Sequence, residues 1–168
     1  GHLLDAAGKF SASGLKIVLD CANGAASGLA SKLFSDLGAE IVAIHCEPDG
    51  ININENCGST HIGNLREKVV AEKADLGVAF DGDADRALFV DEHGEIIDGD
   101  ATLWIVAQYL KAHGKLASST VVATVMSNIG LEIALKSKDI NLLRTDVGDK
   151  YVLERLIETG AEIGGEQS

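Results

Sequence analysis

Three carboxylates stand at alternate positions in Asp81-Gly82-Asp83-Ala84-Asp85-Arg86. Side-by-side anions repel, and each raises the pKa of the next. A hard divalent cation removes that penalty and prefers oxygen donors. Gly82 and Ala84 leave the backbone free to curl so that the three oxygens converge. Arg86 adds a planar cation suited to a phosphate. The pattern therefore predicts a divalent-metal site for phosphoryl-transfer chemistry. Asp81, Asp83 and Asp85 are the expected ligands and Mg²⁺ the expected ion.

Three other readings compete. A solvated acidic turn would need neither this spacing nor apolar runs on both sides. A calcium loop of EF-hand type would place Asp81, Asp83 and Asp85 at its first, third and fifth positions and Glu92 at its last. Its sixth position calls for Gly and holds Arg86, and the flanks read as strands. A strand-Asp-x-Asp phosphatase of haloacid-dehalogenase type would use Asp81 as nucleophile, but such loops usually carry Thr or Val where Asp85 stands. A calcium module would prefer Ca²⁺ over Mg²⁺, and a phosphatase would show phosphorylated Asp81.

The loop needs strands to hold it. Leu76–Phe80 is a short apolar run that reads as a buried strand ending at Asp81. Ala87–Val90, the turn Asp91-Glu92-His93-Gly94 and Glu95–Ile97 read as a hairpin. Upstream, strand Lys16–Asp20, a small-residue turn, a helix near 26–37 stopped by Gly38, and strand 40–45 make a βαβ start. A long polar loop, 46–63, precedes a helix at 64–72. Loops of this length inside a domain are often functional. A helix at 101–110 follows the hairpin. Near Gly114–Ser119 the pattern lapses, and a domain boundary is placed there. Beyond it come strand 120–125, helix 129–136, strand 140–144, helix 150–158 and strand 161–163. Both halves alternate β and α, so the fold class is α/β, two domains with mixed β-sheets flanked by helices. The expected division is a leader or tag-derived segment at 1–13, one domain at 14–115 and a second, incomplete one at 116–168. Gly164-Gly165-Glu166-Gln167-Ser168 follows a strand without a closing element, so the chain reads as a piece of something longer.

Composition limits the partners. The 168 residues carry 14 Lys and Arg against 26 Asp and Glu, a formal charge of −12. Nucleic acid and anionic membrane surfaces need clustered cations, so neither is expected. No apolar run approaches the roughly 18 residues of a membrane span, and no signal-peptide pattern is visible. Cysteines 21, 46 and 57 are odd in number with no CxxC pair, which fits reduced thiols in a cytoplasmic protein. Cys21-Ala22-Asn23-Gly24-Ala25-Ala26-Ser27-Gly28 lacks the Lys-Ser/Thr of a P-loop and reads as a tight βα turn near the cleft. His61 reads as a loop hydrogen-bonder in preference to a proton shuttle.

Four segments together resemble the α-D-phosphohexomutase superfamily. They are Asp49-Gly50-Ile51-Asn52-Ile53-Asn54 with Cys57-Gly58-Ser59-Thr60-His61; the aspartate loop; Thr145-Asp146-Val147-Gly148-Asp149-Lys150-Tyr151-Val152; and Gly165-Glu166-Gln167-Ser168. The resemblance covers roughly residues 14–168, and the finer match is to members acting on a phosphorylated hexosamine. Glucose- or mannose-specific mutases of the same superfamily remain the alternative. The resemblance implies the second and most of the third of four domains. Domains I and IV, with the phosphoserine and the substrate-phosphate loop, would be partners outside this chain. It implies a phosphoryl shift between O6 and O1 of the sugar through a bisphosphorylated intermediate. It makes Asp81, Asp83 and Asp85 the Mg²⁺ ligands and gives Arg86 a catalytic contact with the phosphate. Thr145, Gly148, Asp149 and Lys150 would contact the sugar or its phosphate, and Glu166 and Ser168 the sugar hydroxyls. Asp149 also sits where a helix N-cap is expected. A homodimer of the full-length enzyme stays open, and the isolated chain is expected to be inactive.

Overall fold

The computed structural model describes residues 4, 5, 8 and 10–167. It divides into two compact units, Gly1–Ile96 and Ile97–Ser168.

The first unit holds β1 (Lys16–Asp20), a 3₁₀ turn (Ala25–Gly28), α1 (Ala30–Asp36), β2 (Glu40–Ile44), α2 (Gly63–Glu72), β3 (Leu76–Phe80) and β4 (Ala87–Asp91). A two-residue β5 (Ile96–Ile97) ends the sheet, whose order is β2-β1-β3-β4-β5. β1 runs parallel to β2 and β3, while β4 returns antiparallel to β3. Alternation along β1 sends Ile17 and Leu19 to one face with Val78, Ala26 and Ala30. Val18 goes to the other face, with Leu65 and Val69 of α2. The pairing sets Asp20 beside both Ile44 and Ala79. The C-terminal ends of three parallel strands therefore share one edge, the usual ligand edge of such sheets. Cys21, His45 and Asp81 emerge there.

The helix expected over 26–37 is broken in two. A 3₁₀ turn ends at Gly28, Leu29 caps it, and α1 starts at Ala30. Gly24, Ser27 and Gly28 are weak helix formers, and the tight turn wins. Part of the expected leader is structural. Ala12 is buried in the first core, and its N–H donates to Leu37 O at 2.8 Å. The rest of that expectation, for residues 1–3, 6, 7 and 9, lies outside the described residues.

At the opposite edge, Glu72 of α2 accepts from Lys16 Nζ at 2.9 Å and from Lys68 Nζ at 2.7 Å. The hydrogen bond from Lys68, then that from Lys16, lower its carboxyl to about 2. A carboxyl depressed on folding adds stability above its unfolded pKa and loses it as pH falls through the folded one. Wild-type protein should therefore lose stability between pH 4.5 and about 2 through this group. In acid titrations followed by circular dichroism, Glu72→Gln should show a shallower pH dependence across that window. Equal slopes for both proteins would remove Glu72 from the account.

The second unit holds α3 (Gly99–Ala112), β6 (Thr120–Thr124), α4 (Ile129–Lys136), β7 (Asn141–Thr145), α5 (Asp149–Thr159) and β8 (Ile163–Gly165). Its three strands are parallel in the order β7-β6-β8. The boundary expected near Gly114–Ser119 is corrected by α3. Leu103 and Ala107 of that helix share a core with Val121, Ala123, Leu131 and Leu135, so the helix belongs to the second unit. Its start is fixed by Asp98, whose side chain accepts from Ala101 N at 2.9 Å. The last strand is also shifted, from 161–163 to Ile163–Gly165. A Cβ on Gly164 would come within 2.9 Å of Val122 O and of Val152 Cγ1, so glycine lets α5 close onto the sheet. Among the described residues no helix is long and apolar enough to cross a membrane.

Candidate metal and phosphate site

Asp81 follows β3 directly and is buried, whereas Asp83, Asp85 and Arg86 are exposed. Between them the chain closes a small hydrogen-bonded turn. Asp81 N donates to Arg86 O at 3.3 Å, and Ala84 N to Asp81 O at 3.2 Å. Ala84 takes the left-handed conformation at φ 62° that the curl requires. One oxygen from each of Asp81, Asp83 and Asp85 lies within 4.8 Å of the other two.

Arg86 is turned back onto this cluster. Its backbone N donates to Asp81 Oδ1 at 3.2 Å and its Nε to Oδ2 at 3.0 Å. The same Nε is 3.8 Å from Asp85 Oδ1. Burial works to raise the Asp81 carboxyl, but the backbone and side-chain hydrogen bonds from Arg86 prevail and hold it below the usual range. Asp85 is pushed up, first by its contact with Asp81, then by burial and by the charges of Asp81 and Asp83. Repulsion among these carboxylates is what a bound cation relieves. An all-oxygen set with one buried and two exposed members fits a hard divalent ion that keeps part of its water.

Gly82 has a role beyond backbone freedom. Its carbonyl accepts from Ala25 N at 2.8 Å. A Cβ on Gly24 would fall on the Gly82 carbonyl, and one on Gly82 would meet Ile53 Cδ1 at 2.7 Å and Asn54 Nδ2 at 2.8 Å. The small-residue turn after β1 and the loop after β2 thus buttress the aspartate loop. Loop 46–62 is itself pinned to the strand ends. Asn54 N donates to Ala22 O and Ser59 N to Phe80 O, both at 2.9 Å. Nothing in residue spacing announced the Gly24–Gly82 contact, although the run of small residues from 21 to 28 was its trace. His61 is exposed, and its backbone N–H bonds to Gly58 O at 3.1 Å.

In the second unit the structure joins two of the expected segments. Glu166 Oε1 accepts from Gly148 N at 2.8 Å, which brings Glu166 to the start of α5. Gly148 has φ 131°, a conformation favouring glycine, and it is the N-cap of α5. Asp149 is therefore not the cap. It is the first helical residue, and its Oδ1 accepts from Lys150 N at 2.7 Å. Thr145 is buried at the end of β7, its hydroxyl donating to Asp146 O at 2.9 Å. Lys150 is exposed, with Nζ 5.5 Å from the Tyr151 ring centroid. Ser168 lies outside the described residues. Missed by sequence reasoning was Arg144, which donates to Ser127 O at 2.8 Å and orders the turn after β6.

Two matched domain families account for these units. Residues 3–94 match the phosphoglucomutase/phosphomannomutase α/β/α domain II and residues 98–168 its α/β/α domain III. The chain belongs to the phosphoglucomutase/phosphomannomutase family. Among curated relatives it is similar to the phosphoglucosamine mutase of Caldicellulosiruptor saccharolyticus, 61% identical over 155 residues, covering 92% of this chain and 34% of that protein. It is also similar to that of Pelotomaculum thermopropionicum, 59% identical over 156 residues, covering 93% of this chain and 35% of that protein. Among solved structures, a phosphoglucomutase/phosphomannomutase family protein from Burkholderia thailandensis superposes with a TM-score of 0.86 at 29% identity. It covers 99% of this chain and 37% of its own. The chain spans about a third of the length of the curated relatives it matches.

Proposed function

We propose that this chain is the metal-binding and sugar-binding part of a phosphoglucosamine mutase, interconverting glucosamine 6-phosphate and glucosamine 1-phosphate for cell-wall precursor synthesis in the cytoplasm. The observation that carries the reading is the convergence of Asp81, Asp83 and Asp85 beside Arg86 at the end of β3. The similarity to phosphoglucosamine mutases supports a glucosamine phosphate as the substrate.

Asp81, Asp83 and Asp85 would hold the ion, with Mg²⁺ the expected one. When bound, it supplies charge withdrawal from the phosphoryl group in transit. Arg86 uses Nε on Asp81, which fixes the direction of its guanidinium and presents the terminal nitrogens to a phosphate oxygen. Glu166 tethers the amide of Gly148, and each of its carboxylate oxygens retains acceptor capacity for a sugar hydroxyl. Thr145, Asp149, Lys150 and Ser168 complete the proposed sugar and phosphate contacts, with Lys150 the cation among them. The phosphoserine donor is expected in the first domain of the longer protein.

Coupled assay of glucosamine 1-phosphate formation tests this directly. A longer protein containing this segment should turn over glucosamine 6-phosphate in a Mg²⁺-dependent manner, while residues 1–168 alone should show none. Turnover by the 168-residue chain, or a clear preference of the longer protein for mannose 6-phosphate, would overturn the assignment.

A further inference from the structure

A second convergence of ligand-type side chains, made of other residues than the aspartate loop, lies in the first unit at the same strand edge. Asp20 ends β1, His45 follows β2, and Cys57 lies in loop 46–62. Each offers one donor atom, and these atoms all lie within 4.8 Å of one another. Asp20 and Cys57 are fully buried, while the His45 side chain is 29% exposed and gives the cluster its opening to solvent.

Among the described residues, the polar groups at this point are not all paired. Asp20 Oδ1 is satisfied by Ala22 N at 3.0 Å. Asp20 Oδ2 is buried without a hydrogen-bond partner among the described residues, and so is His45 Nδ1. The two atoms approach to 3.0 Å, yet they are not aligned as a hydrogen bond. A direct ion pair would satisfy the distance but leaves that misalignment unexplained, and it gives the adjacent thiol no part. Among the described residues, Cys57 Sγ has one long contact, from Asn23 Nδ2 at 3.9 Å. Buried polar atoms of native proteins almost always have a partner. A shared third body would serve all three.

We propose that Asp20, His45 and Cys57 form a mixed sulfur, nitrogen and oxygen site for a divalent transition ion of the zinc type, with water as the fourth ligand on the His45 side. The donor set decides the class of ion, because thiolate and imidazole disfavour Mg²⁺ and Ca²⁺ and suit Zn²⁺. Tetrahedral bonds of about 2.0–2.3 Å set ligand atoms roughly 3.3–3.8 Å apart, so only small side-chain shifts are needed. Burial, with Asp20 and Glu55 nearby, raises the Cys57 thiol. Uptake therefore releases the thiol proton to solvent and strengthens with pH. The ion would tie loop 46–62 to the ends of β1 and β2, and that loop buttresses Gly82. The site stands independently of the mutase reading.

Co²⁺ is the probe, added to the 168-residue chain with excess Mg²⁺ to occupy the oxygen-only loop. One equivalent should give thiolate-to-cobalt charge-transfer absorption and the visible bands of tetrahedral Co²⁺, both erased by Zn²⁺. Cys57→Ser should abolish the charge-transfer band. His45→Gln, at a partly exposed position, should weaken Co²⁺ binding at least tenfold and serves if Cys57→Ser does not fold. Cys46→Ser and Asp83→Asn should keep the band. No thiolate band at saturating Co²⁺, a band that survives Cys57→Ser, one lost in Cys46→Ser, or unchanged affinity in His45→Gln would each overturn the site.

Discussion

Asp83→Asn is expected to weaken Mg²⁺ binding by about tenfold or more, and Arg86→Gln to strengthen it by roughly three- to tenfold. Asp83 is the cleanest of the proposed ligands to alter because it is exposed, so its replacement disturbs the fold least. Arg86 acts in the opposite sense. Its Nε sits 3.0 Å from Asp81 and 3.8 Å from Asp85, so a metal ion must share those carboxylates with a fixed positive charge. Removing a unit charge a few ångströms from a divalent ion, in an exposed setting, is worth about 1 kcal/mol, hence the predicted gain. In the longer protein both substitutions should lower mutase turnover, by about 100-fold or more for a group that stabilises charge in transfer. The pair of measurements separates the two meanings of Arg86. If it merely neutralises the carboxylates, Arg86→Gln should bind Mg²⁺ more tightly and keep its turnover. If it holds the phosphate, binding and turnover move in opposite directions. Calorimetric Mg²⁺ titration of the chain and kinetics of the longer protein read them out. Unchanged Mg²⁺ affinity in Asp83→Asn would remove the metal site from the aspartate loop.

What the sequence disclosed follows from where the physics is local. β1, β3 and α4 appear at their expected residues, since each is a short apolar or periodic run closed by a clear stop. The alternating carboxylates were legible because spacing alone makes their repulsion a problem. The domain boundary was not legible. A lapse of pattern at Gly114–Ser119 looked like a linker, but the choice of sheet for α3 depends on Leu103 and Ala107 meeting Val121 and Ala123, a tertiary fact. Asp149 failed as a cap for a similar reason. Its residue type suited the position, yet Glu166, just past the end of β8, reaches the Gly148 amide and sets the helix entry. The Asp20–His45–Cys57 cluster was invisible, because strand register and a loop join residues up to 37 positions apart in the chain.

Gly24→Ala is expected to be the most disruptive single-methyl change around the aspartate loop. The new Cβ would land on the carbonyl carbon and oxygen of Gly82, which are backbone atoms held by the Ala25 N–H. Backbone cannot swing aside as a side-chain tip can, so either the turn after β1 or the aspartate loop must move. Overpacking of this kind costs about 1–3 kcal/mol, sometimes more. For a unit of this size that is a fall in Tm of roughly 4–8 °C per kcal/mol. Gly82→Ala is the instructive contrast. Its Cβ would meet Ile53 Cδ1 at 2.7 Å and Asn54 Nδ2 at 2.8 Å, both on exposed side chains able to rotate away. Its cost should be smaller, although it sits inside the aspartate loop. Thermal unfolding of the two variants gives the order. Should Gly82→Ala prove the more damaging, the buttress would be the loop 46–62 side chains and not the turn after β1. Mg²⁺ titration adds the functional half. If Gly24→Ala moves the aspartate loop, its Mg²⁺ affinity drops even where the protein remains folded. That would make the small-residue turn after β1 part of the metal site without supplying it a single ligand.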